Sequence, residues 1–157
     1  MRALFPFVLA ASLLAWPALA QAPEAGAQVT GDPQRIAALM AELGMPTTRG
    51  QDIEGLPMLE SQTDGIRFNV YFYNCAALCD NIQFVTGFVM PEPMSVEAAN
   101  DWNRGNPFST VIVSEDGTAF LETHIGLAGD GVGRKNFEQA LQSWRAALKD
   151  FRDYIGW

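Results

Sequence analysis

Ile66, Phe68, Val70 and Phe72 alternate along the chain with Arg67, Asn69, Tyr71 and Tyr73. A period of two marks a strand with one buried face, because successive side chains of a strand point to opposite sides. A second run, Ile82 to Met90, holds Ile82, Phe84, Phe88 and Met90 in phase. Between the runs stands Cys75-Ala76-Ala77-Leu78-Cys79, so the pattern predicts an antiparallel hairpin whose short loop can carry a disulfide. The clearest helix is the last. Phe137, Leu141, Trp144, Leu148, Phe151 and Ile155 recur at alternating intervals of four and three, one apolar stripe along a helix that begins near Arg134.

The remaining elements carry weaker signals. Asp32 is placed to cap a helix with Pro33 in its first turn, and Ile36, Leu39, Met40 and Leu43 follow at helical spacing until Gly44 and Pro46 stop it. Gln51 to Gln62 is interrupted by Pro57 and reads as a broken edge strand. Asp64-Gly65 then turns into the central hairpin. Ser95 caps a short helix, Val96 to Arg104, with Val96, Ala99 and Trp102 on one face. Phe108 to Val113 and Ala119 to Ile125 form a second hairpin about Glu115-Asp116-Gly117. The expected order is α-β-β-β-α-β-β-α: an α+β domain with a five-stranded antiparallel sheet and helices on one face. The last helix is expected to cover Phe68, Val70, Phe72, Phe84 and Phe88 on that face.

Composition adds a compartment. Arg2 precedes an apolar run, Ala3 to Leu14, and Ala18-Leu19-Ala20 has the form of a signal-peptidase site. Residues 1–20 therefore read as a signal peptide cleaved after Ala20, with the mature chain periplasmic or secreted. Residues 21–31 read as a flexible N-terminus, and 32–157 as one domain. No second long apolar run occurs, so no stable membrane insertion is expected. The formal charge of the whole chain is −8. An acidic surface of that size disfavours nucleic acid and anionic membranes.

In an oxidising compartment Cys75 and Cys79 are expected to form a disulfide. The alternative is a thiol-disulfide or metal-handling site built on the same pair. Redox motifs favour two intervening residues rather than three, and the adjacent Asp80 would raise a thiol pKa. His124, the single histidine, lacks the ligand spacing of a metal site. The loop Gly126 to Gly133 matches no phosphate-binding pattern and carries Asp130, which would repel an anion. With neither a nucleophile motif nor a marked carboxylate pair, the reading is a non-enzymatic chain with no cofactor and no metal.

Taken in order, Asp64-Gly65-Ile66-Arg67-Phe68, Phe72-Tyr73-Asn74-Cys75, Ile82-Gln83-Phe84, Gly87-Phe88, Asn100-Asp101-Trp102-Asn103, Asp116-Gly117, Leu121-Glu122 and Phe137 to Trp144 resemble the YbjN family of bacterial sensory transduction regulators. That family is similar in fold to type III secretion chaperones, small acidic proteins that are usually dimeric and bind unfolded segments of other proteins without ATP. The resemblance implies a regulatory or chaperone-like module for a protein or peptide partner. The resemblance leans slightly towards a homodimer over a monomer, with Val96, Ala99, Trp102 and Asn103 of the short helix as the candidate partner-contact residues; the apolar face of that helix would equally suit packing on its own sheet. The chaperones are cytoplasmic whereas this chain carries an export signal. What the likeness transfers is therefore a surface for protein contact rather than secretion itself.

Overall fold

The computed structural model describes residues 28–157; the expected signal peptide and residues 21–27 lie outside them. The chain begins with β1 (Gln28–Val29), α1 (Pro33–Glu42), β2 (Thr47–Gln51), β3 (Pro57–Thr63), β4 (Ile66–Cys75) and β5 (Cys79–Phe88). It continues through α2 (Val96–Gly105), β6 (Thr110–Val113), β7 (Ala119–Gly126), β8 (Val132–Gly133) and α3 (Arg134–Ile155). Six strands form one sheet in the order β2-β3-β4-β5-β7-β6. Every neighbouring pair in it is antiparallel.

The main sheet therefore has six strands where the sequence pattern predicts five. The extra strand is β2, which precedes the segment Gln51 to Gln62 read as a broken edge strand and meets it only at Gln51. Thr47-Thr48-Arg49-Gly50-Gln51 has no apolar face, because β2 is the edge strand and its residues are almost all exposed. Asp52 ends it: its carboxylate accepts from the N–H groups of Glu54 and Leu56, and Gly55 supplies the left-handed residue that the tight turn needs. Pro57 is the first residue of β3 rather than a break within a strand. β3 then pairs on both sides, with β2 and with β4, so it is not an edge.

At the β3–β4 turn Asp64 and Gly65 both have positive φ, the pair of left-handed residues that a tight two-residue hairpin turn requires. Ile66, Phe68, Val70 and Phe72 of β4 and Ile82, Phe84 and Phe88 of β5 are all buried on one face. α3 lies along this face. Trp144 meets Phe68 and Phe84 with ring centroids 5.7 and 5.9 Å apart, and Phe151 meets Phe88 at 5.2 Å. The predicted stripe is thus covered within its own chain, with Phe137, Leu141, Trp144, Leu148 and Phe151 all buried. α1 is capped by Asp32, which accepts from the N–H of Gln34, and buries Ile36 and Met40 in the same core.

Two close backbone approaches tie down the N-terminal strand. A Cβ on Gly31 would lie 1.7 Å from the carbonyl oxygen of Cys79, and one on Gly131 would lie 2.2 Å from that of Val29. Only glycine allows the chain to pass at both places. The segment expected to be flexible to residue 31 is therefore ordered from Gln28. Gln28 and Val29 pair with Gly133 and Val132, and the carbonyl of Gly31 accepts from the N–H of Cys79.

Candidate functional site

Burying one side of the sheet leaves its other side to solvent, and that side is not bland. Strand register places Met58, Tyr71, Gln83 and His124 in one row across β3, β4, β5 and β7. The next row holds Asn69, Val85 and Glu122. Tyr73 stands two residues beyond Tyr71 on the same strand face, about 7 Å along it. Phe120 lies over Gly87: a Cβ there would come within 3.0 Å of the ring.

These side chains are held by one another. Tyr73 Oη donates to Gln83 Oε1 at 2.6 Å, and Gln83 Nε2 donates to Glu122 Oε2 at 2.6 Å. Asn69 Nδ2 donates to Tyr71 Oη at 3.0 Å. The Tyr73 phenol titrates above its ordinary value of 10.0, first because of partial burial, then because of Tyr71, Glu122, Asp52 and Glu54 nearby. It is therefore a neutral hydrogen-bond donor at physiological pH. A run of side chains from three strands is thus pinned across the sheet and ends on a carboxylate.

The same surface is concave. A groove of about 720 Å³ runs from the hydrogen-bonded Asp52–Leu56 turn across Tyr71, Tyr73 and Gln83 to Ile112 and Phe120 near the far edge. Four large hydrophobic side chains open to solvent, Ile53, Tyr73, Ile112 and Phe120, stand along it, and Ile53 is fully exposed. Apolar residues gathered about one groove and rimmed by polar groups mark an interaction surface. The arrangement offers aromatic faces, amides and carboxylates that can hold a partner.

A second, smaller cavity of about 480 Å³ lies where β7 runs past the end of β6. Phe108, His124 and Ser143 are among its lining residues. Thr123 Oγ1 closes part of it by donating to the carbonyl of Phe108 at 2.9 Å. Among the described residues, no group of three or more His, Cys, Asp or Glu is placed to hold a metal ion.

Cys75 and Cys79 are joined as a disulfide and face each other as ladder partners at the tip of the β4–β5 hairpin. Cys79 is buried against the N-terminal segment. The four residues of the short helix are placed unequally. Val96 is exposed, whereas Ala99 and Trp102 are buried. Trp102 packs edge-on against Phe151 at 4.9 Å and against Tyr154 at 5.4 Å. Asn103 points at the free edge of β6: its Nδ2 donates to the carbonyl of Val111 at 3.0 Å and its Oδ1 accepts from the Val111 N–H at 2.7 Å. The side chain thereby takes the place of a neighbouring strand and blunts the edge.

The six-stranded antiparallel sheet, with helices on one face and an open, aromatic-rich groove on the other, defines an α+β domain. The sequence comparison is specific: the model of the YbjN family, described as "Putative bacterial sensory transduction regulator", matches residues 32–157, and the chain belongs to that family. No curated protein and no solved structure matches the chain.

Proposed function

We propose that this chain is an exported, non-enzymatic regulator that binds a protein or peptide partner through the open face of its sheet. Family membership supports a role in sensory transduction. The single observation that carries the binding reading is the groove, where exposed Ile53, Tyr73, Ile112 and Phe120 surround a hydrogen-bonded floor. Recognition of an extended segment on this face is the counterpart of the chaperone-like behaviour implied by the resemblance. The location we propose is periplasmic or secreted, after cleavage following Ala20. No helix among the described residues is long and apolar enough to cross a membrane. A homodimer, if formed, would use the exposed Val96 side of α2, because Trp102 and Asn103 are already engaged within the chain.

Crosslinking pull-down from the periplasm with identification by mass spectrometry tests the reading. It is run in parallel on the native chain and on Tyr71→Ala with Ile112→Ser. A partner recovered with the native chain and lost with the double variant supports the open face. A partner retained by the double variant overturns it.

A further inference from the structure

We infer that the groove takes a cationic, extended peptide segment, with an arginine or lysine seated against Tyr71 and Tyr73 beside Glu122. This inference rests on the proposed reading of the open face as the binding surface and adds the chemistry of its occupant. The lining carries three carboxylates, Asp52, Glu54 and Glu122, and no lysine, arginine or histidine. Among the described residues, none of the three is in an ion pair. Glu122 is fixed by the Gln83 amide, a neutral partner, so its negative charge is oriented but not neutralised. A cation entering here gains Coulomb attraction without displacing one already bound.

The aromatic residues select the same occupant. The Tyr71 and Tyr73 rings stand on the strand that crosses the middle of the groove, and their hydroxyls are tied down by Asn69 and Gln83. A phenol held in this way presents its π-face in a set position, and guanidinium and ammonium groups are attracted to such faces. Ile53, Ile112 and Phe120 stand at the two ends. They suit apolar residues flanking the basic one. The groove spans β3, β4, β5, β7 and β6, about 19 Å at the usual strand spacing, which matches roughly six extended residues.

The test uses two fluorescein-labelled hexapeptides, one alternating arginine with valine and one alternating glutamate with valine, titrated into the full mature chain and followed by anisotropy. The arginine peptide is expected to bind more tightly, and to weaken as salt rises to about 0.15 M. Glu122→Gln and Tyr71→Ala are each expected to weaken it about threefold or more. Glu97→Gln, which removes the same charge from α2, is expected to leave it unchanged. Tyr71→Phe keeps the ring and is expected to retain binding, which separates loss of the π-face from loss of fold. Equal loss with Glu97→Gln would show bulk acidity alone and overturn the inference, as would binding of neither peptide. If both peptides bind equally and both are lost with Tyr71→Ala, the cationic occupant is wrong while the open face stands. If binding of both is indifferent to Tyr71→Ala, the face itself is wrong.

Discussion

Replacing Asn103 with alanine removes two hydrogen bonds at once, the donor to the Val111 carbonyl at 3.0 Å and the acceptor for its N–H at 2.7 Å. Each is worth about 1 kcal/mol net, so the expected loss of stability is about 2 kcal/mol. In urea that shifts the unfolding midpoint down by roughly 1 M for a domain of this size. A second effect follows from position. β6 (Thr110–Val113) is an edge strand, and Ile112 is exposed on it. Without the amide, Val111 offers an unpaired donor and acceptor beside an apolar side chain, which invites pairing with another chain. Light scattering is therefore expected to show association of Asn103→Ala at concentrations where the native chain is unchanged. Asn103→Asp separates the two bonds. It keeps an acceptor for the N–H but sets a carboxylate oxygen against the Val111 carbonyl. It is expected to be no more stable than the alanine variant at neutral pH and to recover as the carboxylate protonates. A loss below about 0.5 kcal/mol with no change in mass would refute the assignment of Asn103 as an edge cap.

Trp102→Ala empties a buried site against Phe151 and Tyr154 and is expected to cost about 3–5 kcal/mol by urea denaturation. Val96→Ser on the exposed side of the same helix is expected to stay within about 0.5 kcal/mol, so a large effect there would show that α2 is covered by a second copy. For Cys75 and Cys79, intact mass after alkylation is expected to rise by two alkyl groups only when reductant is added first; full alkylation without reductant would contradict the disulfide. Cys75→Ser is expected to lower stability by about 2 kcal/mol or less, because the closed ring is small. The Tyr73 pKa is raised on folding, so its contribution to stability is fully present below the unfolded value of 10.0 and is lost as pH rises through the folded value. The difference in stability between the native chain and Tyr73→Phe is therefore expected to be constant at neutral pH and to fall in alkali. A difference that changes across neutral pH would contradict this reading.

The strongest periodic signals in the sequence correspond to the parts of the structure with the largest buried faces. The alternation in Ile66 to Phe72 and the stripe from Phe137 to Phe151 become β4 and α3, facing each other across the core. β2 was not legible because an edge strand exposed on both faces has no hydrophobic period, and Thr47 to Gln51 carries none. The two-residue β1 and β8 were not legible either. They depend on Gly31 and Gly131 passing close to other backbone, which no local pattern records. The resemblance marks Asn103 as a candidate contact residue, and no local pattern records its two hydrogen bonds to Val111 of its own chain. The open face was half visible: Asn69, Tyr71 and Tyr73 stand out as the solvent side of the hairpin. What the sequence could not show is register. The cross-strand neighbours Gln83 and Glu122, and the Ile53 turn, join them only once the sheet is assembled.

The claim that the open face is the binding surface is tested most directly by position-specific photocrosslinking in cells. A photoreactive phenylalanine analogue is placed in turn at Ile53, at Phe120 and at Val96 of the full-length chain. Adducts to one and the same partner protein from Ile53 and Phe120, which sit at opposite ends of the groove, with none to that partner from Val96, are the predicted result. A partner adduct from Val96 with none from either groove position would contradict it.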